Sequence, residues 1–172
     1  KVNPDTAKRL RDQITQSTQK DAKRLTELFT QLPPGDVRRG QIVFNGSKAA
    51  CISCHQMGYL GGKTGPDLTR IGGIRSERDL LESIIFPSAS FVRSYEPVTV
   101  VTVDGRSFTG ILREDTQDEI TLTVNATDTV KLRRDLIEEI KPSSVSIMPA
   151  GFDQQLSHQD IADLVAFLKA SR

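Results

Sequence analysis

The 172-residue chain has no tryptophan, two tyrosines, two methionines, two histidines and two cysteines. Hydrophobic residues make up 37% of it and aromatics 5%. A core built from such side chains alone is thin, and a buried cofactor would help to fill it. Two cysteines exclude a disulfide framework, while a local Cys51–Cys54 redox disulfide stays open. No apolar run approaches the length of about 18 residues that a membrane-spanning helix needs. The formal net charge is +1, which is no electrostatic footprint for nucleic acid. Lys1-Val2-Asn3-Pro4 has none of the apolar character of a secretory leader. Either a leader has been removed or the chain is a piece of a longer one, and the abrupt start of the first segment favours the second reading.

What is present divides the chain into segments. Asn3-Pro4-Asp5 is a helix start, and Leu10, Ile14, Leu25, Leu28, Phe29 and Leu32 follow at mostly helical spacing. The stripe is weak over 15–21, and Pro33-Pro34-Gly35 ends this first unit at residue 35. Asp36 caps a second helix with Val37, Gly40, Val43 and Phe44 on one face, closed by Gly46. From His55 to Gly73 the chain is glycine-rich and aperiodic, which predicts a loop that approaches something closely. Ser76, with Asp79 three residues on, caps a third helix whose apolar face is Leu80, Leu81, Ile84 and Ile85, and Pro87 stops it. Character changes near Tyr95. Five short strands are expected: Val98–Val103, Phe108–Leu112 across an Asp104-Gly105 turn, Ile120–Val124, Val130–Leu132 and Ile137–Ile140. Over 95–141 they predict a small antiparallel barrel. From 142 onward the helical signal returns, with Ser157 and Asp160 capping a stripe of Ile161, Leu164, Val165 and Leu168.

The chemistry sits in Cys51-Ile52-Ser53-Cys54-His55. Covalent haem attachment needs two thiols that reach one porphyrin edge, one for each vinyl group, and an imidazole directly after them to lie below the iron. Cys-x-x-Cys-His supplies all three. A structural zinc site would need four ligands, and Cys51, Cys54, His55 and His158 would exhaust the supply, with adjacent Cys54 and His55 forced onto one metal. A thioredoxin-like dithiol would need a βαβ setting, which the flanks lack. With His55 as the first axial ligand, Met57 lies too close in sequence to reach the opposite face of the ring. Met148, followed by Pro149, is the expected second ligand, with His158 as its rival. The carbonyl of Pro66 is positioned in sequence to accept from His55 Nδ1, and Leu68 could pack on the ring. Lys63, Arg70 and Arg75 are candidates for the haem propionates, Arg75 foremost because it adjoins a helix cap.

These residues together resemble a class I cytochrome c over 36–94 and 142–172. Gly40 and Phe44 resemble the small-residue and aromatic pair of its N-terminal helix, and Leu164, Phe167 and Leu168 the face that crosses it. Gly65-Pro66-Asp67-Leu68 and Met148-Pro149 resemble its haem loop and distal-ligand motif. With the strand-rich insert over 95–141, the combination is similar to the planctomycete-type haem-binding domain found at the C-terminal end of large dehydrogenase-like proteins. The resemblance implies a mainly α cytochrome c fold with an inserted Sm-like or SH3-like barrel, α+β overall, and makes residues 1–35 the tail of a preceding region. It implies one haem c per chain and His55/Met148 ligation. It further implies one-electron transfer between a dehydrogenase portion or partner and a downstream acceptor, no catalysis by this chain itself, and a periplasmic or otherwise exported location. A gas or redox sensor, or a peroxidase-like enzyme, would instead need a labile sixth position. A binding module would give the barrel the main role.

Overall fold

The computed structural model describes residues 3–172. Among the described residues, seven helices and two antiparallel sheets follow one another. They are α1 (Pro4–Gln31), α2 (Val37–Asn45), α3 (Cys51–Cys54), β1 (Gln56–Met57), β2 (Leu60–Gly61), α4 (Ile71–Ile74) and α5 (Glu77–Ile85). Then come β3 (Pro97–Thr102), β4 (Ser107–Asp115), β5 (Glu119–Thr123), β6 (Thr129–Arg133) and β7 (Ile137–Pro142), and finally α6 (Phe152–Gln155) and α7 (His158–Ala170).

The helices begin where capping side chains offer an acceptor to otherwise unpaired backbone N–H groups. Asn3, Asp36, Ser76 and Ser157 each accept such a bond, and Ser76/Asp79 and Ser157/Asp160 form reciprocal capping boxes. α1 runs unbroken through its polar middle, with Leu10 and Ile14 exposed. Its last turns are different. Leu25 and Leu28 are buried in the same cluster as Phe44, Leu81, Ile161 and Leu164. The segment expected as a preceding region's tail therefore supplies part of the helical core.

α2 crosses α7 at Gly40. A Cβ there would lie 1.9 Å from the Asp163 carbonyl oxygen, so only glycine lets the two backbones meet. Beside the crossing, the rings of Phe44 and Phe167 pack at 5.4 Å, tilted by 53°, a favourable aromatic geometry. Asp163, 2% exposed, faces the crossing. It accepts from the Asp36 N–H at 2.6 Å, from Arg39 Nε at 2.6 Å and from Gln159 Nε2 at 2.8 Å. Its polar atoms are thus satisfied, as burial of a charge demands.

The strand-rich segment has a core of its own, in which Val100, Ile120, Leu122 and Leu132 are buried. It corrects the sequence-based fold. The strands form an open five-stranded antiparallel sheet in the order β6-β5-β4-β3-β7, not the closed Sm-like or SH3-like barrel expected; the chain is α+β, and its mainly α part does not show a cytochrome c fold. Closure needs the two edge strands to pair. Although only a 3-10 turn (Arg134–Leu136) separates β6 from β7, that turn carries the chain to the opposite edge. In β7 the half-buried apolar residues, Ile137 and Ile140, are three apart and so off the two-residue period of a strand with one buried face. Periodicity reported the strands; it carried no information on whether the edges meet.

Candidate functional site

The Cys51–His55 motif forms a single helical turn, α3, entered through Ala50 in the left-handed region (φ 48°, ψ 32°). Cys51 and Cys54, three residues apart, share one side of that turn, as helical spacing requires. Both thiols are free and half-buried. The turn ends at His55, whose backbone is extended and whose N–H donates to the Cys51 carbonyl at 2.9 Å.

The glycine-rich loop expected to approach something closely lies against this motif. Gly62 N donates to Ile52 O at 2.8 Å, Gly65 N to Cys54 O at 2.7 Å and Leu68 N to Gln56 O at 2.9 Å. Gly65 faces the imidazole. A Cβ there would lie 2.5 Å from His55 Cε1 and 2.7 Å from Nδ1. Pro66 O lies 2.8 Å from His55 Nδ1. A carbonyl can only accept, so Nδ1 carries the proton and Nε2 is the open nitrogen. Nε2 has no hydrogen-bond partner among the described residues. No buried side-chain polar atom among them lacks a partner, so Nε2 keeps access to solvent or a ligand. Burial pushes the pKa of His55 below its ordinary value, opposed in part by the bond to Pro66. The neutral ring is the form that binds metal.

Burial pushes the Cys51 thiol up to about 11. A dithiol redox centre needs the reverse, a thiol activated by a lowered pKa. Zinc fares no better, because no group of three or more Cys, His, Asp or Glu side chains that could hold a metal ion occurs among the described residues. His158, which the zinc reading would have needed, is exposed at the first position of α7.

Met148 is half-buried, and with Cys51, Ile52, Met57, Leu68 and Ile71 it packs against the helical core. Its backbone N–H donates to Ser146 Oγ at 3.1 Å, and Ser146 N donates to Ser88 Oγ at 3.0 Å. Arg75, Arg70 and Lys63 are exposed. Arg75 contributes its carbonyl to Lys169 Nζ at 2.8 Å, as Gly72 does at 2.7 Å, which ties α4 to α7. Three residues of consequence escaped sequence reasoning: Asp163, Lys169 and Arg113. Each acts across the fold on a backbone group. Only the helical spacing of Gln159 and Asp163 was visible beforehand.

The residues present fit a haem in their donor chemistry. Two thiols stand on one side of a turn. A neutral imidazole follows, with a fixed tautomer and an open Nε2. A thioether and apolar side chains belong to the same cluster as the first thiol. Among the described residues no helix is long and apolar enough to cross a membrane. No protein-family model matches the chain, and no curated protein matches it by sequence.

Proposed function

We propose that this chain holds one covalently attached haem and carries single electrons. The observation behind the reading is the seating of His55, with Gly65 against the ring and Nδ1 held by Pro66 O at 2.8 Å. A hydrogen bond at Nδ1 fixes the tautomer, orients the ring and raises the basicity of Nε2, which is how proteins tune a ligating histidine. Bound haem would supply an iron that takes up and releases one electron. Cys51 and Cys54 would hold it by thioether bonds, His55 and Met148 by ligation, and Met148 would raise the reduction potential relative to an anionic ligand. Leu68 and Ile71 would exclude water, and Arg75 would stand nearest in role to the propionates. The electron donor would be a dehydrogenase, as a partner or a further part of the same protein, outside the cytoplasm where such haem attachment occurs.

The test is expression of the chain with haem-attachment machinery, followed by acid extraction and a pyridine-haemochrome spectrum. Haem should stay with the protein and should be lost from the Cys51→Ala/Cys54→Ala variant. Extractable haem in the unaltered chain refutes covalent attachment. In the loaded ferric protein a weak far-red band should report methionine–iron bonding and vanish in Met148→Ala. Its absence, together with rapid carbon monoxide binding by the ferrous form, would favour a sensor instead.

A further inference from the structure

We infer that Arg113, on the inserted sheet, is a positioning residue for His55, fastening from outside the loop that holds the imidazole. The inference rests on the haem reading for its purpose, though the geometry stands without it.

Between β4 and β5 the register runs Leu112↔Leu122 and then Glu114↔Thr121, so Arg113 is the extra residue of a β-bulge. A bulge re-aims the side chain it carries. Here the guanidinium leaves the sheet and reaches two consecutive carbonyls of the glycine-rich loop, donating from Nη2 to Lys63 O at 3.0 Å and Thr64 O at 2.7 Å. It lies over the Tyr95 ring at 5.3 Å, and Nε makes a long bond to Thr123 Oγ1 at 3.4 Å. Thr64 is buried although the loop around it is largely open. An arginine fork is suited to this task because its donors are planar and fixed relative to one another, whereas an ammonium is a point charge on a flexible stem.

The anchored carbonyls directly precede Gly65 and Pro66, the two residues that fix the ring. On the inner side the loop is held by Gly65 N to Cys54 O. Arg113 opposes that bond from the outer side, so residues 63–66 are clamped between the motif and the sheet. An open cleft of about 240 Å³, lined by Lys63, Thr64, Arg113, Thr123 and Asp128 among others, runs beside the clamp. The clamp is thus reachable from solvent and not buried in a core. Without it the loop can retreat from His55, and the bond from Nδ1–H to Pro66 O lengthens.

The test compares Arg113→Lys and Arg113→Gln with a Lys131→Gln control in the full chain, with and without haem. The first readout is solvent exchange of the His55 Nδ1–H by NMR, which needs no haem. Both Arg113 variants should exchange at least about tenfold faster than the control. The second is the midpoint potential of the loaded protein. A weaker bond at Nδ1 makes the ring a poorer donor to ferric iron, so Arg113→Lys, which keeps the charge, should shift the potential upward, and Arg113→Gln should fall below Arg113→Lys by the effect of the lost cation alone. If Arg113 acted only through its charge, lysine would leave the potential unchanged, and glutamine, by removing a cation, would lower it. That pattern, or unaltered Nδ1–H exchange in both variants, overturns the inference. If the chain holds no covalent haem, the functional reading fails alone and the exchange experiment still decides the clamp. Circular dichroism establishes that each variant is folded, and should glutamine prevent folding, the lysine variant carries the test.

Discussion

Replacing Gly65 by alanine is the most direct perturbation of the seat of His55. The added methyl would lie 2.5 Å from Cε1 and 2.7 Å from Nδ1. An ordinary contact begins near 3.4 Å, so one side must move by 3.4 − 2.5 = 0.9 Å. The loop is held by Gly65 N to Cys54 O, by Leu68 N to Gln56 O and by Arg113 on two carbonyls. The imidazole is held by one bond, to Pro66 O, so the ring should give. The cost is about 1 kcal/mol for the hydrogen bond and ~1–3 kcal/mol for overpacking, or about 2–4 kcal/mol together. The thiols are untouched, so haem attached as proposed should remain covalently bound while the loaded protein captures carbon monoxide more easily. Thermal unfolding of the haem-free chain should show the packing cost independently. Gly73→Ala is the matched control, because nothing lies within 4 Å of its would-be Cβ and alanine is the better helix former. If Gly65→Ala keeps both the wild-type carbon monoxide capture and the wild-type stability, the imidazole is not seated against Gly65.

Two further predictions concern the helical frame and the distal side. Asp163→Ala should destabilise by about 2 kcal/mol, because the Asp36 N–H loses a charged acceptor. The hydrogen bond from Arg39, then those from Asp36 and Gln159, hold the Asp163 carboxyl below the usual carboxylate range. The stability it contributes is therefore fully present above the unfolded value of about 3.9 and lost as pH falls through the lower folded value. In chemical denaturation the gap between wild type and Asp163→Asn should be constant at neutral pH and close in acid; a gap that widens in acid refutes the assignment. Ser146→Ala should raise the affinity of the ferric loaded protein for cyanide, read as loss of the far-red band, because the Met148 N–H loses its acceptor. An unchanged affinity would mean that the hydroxyl does not hold the methionine segment.

What the sequence made legible was local. Ser76 with Asp79 and Ser157 with Asp160 announce helix starts because the cap and its acid lie within one turn, and both capping boxes form. Pro66 O meets His55 Nδ1 across eleven residues of one loop, a distance that a motif can encode. The sheet's closure was not legible, since it depends on whether Thr129–Arg133 meets Ile137–Pro142 and no periodicity reports that. Nor was the Arg113 clamp, which joins residues 50 and 49 positions apart through backbone carbonyls that any residue possesses. The side chain alone reads as one more exposed cation. Only the bulge, a property of pairing between strands, gives it a direction. Asp163 was overlooked for the same reason: an acid inside an apolar helical stripe reads as an interruption until its three donors are seen.

The manner of insertion explains how a five-stranded sheet can sit between the two proposed ligands without displacing them. Its ends lie side by side, because Ser143 N donates to Pro97 O at 2.9 Å. The helical lobe therefore sees a closed excursion, which costs little extra chain entropy for its length. Past that point the segment after β7 is pinned back to the loop that follows α5 by Ser146 N on Ser88 Oγ. The two ligand segments are nonetheless held unequally. His55 stands in a web of backbone bonds from Cys51 to Leu68, with the sheet clamping its loop. Met148 hangs from serine hydroxyls on a half-buried segment. Weakly tied segments open first. If the chain holds haem as proposed, an incoming ligand should therefore replace Met148 and leave His55 in place, because the segment that follows the sheet is the one free to open.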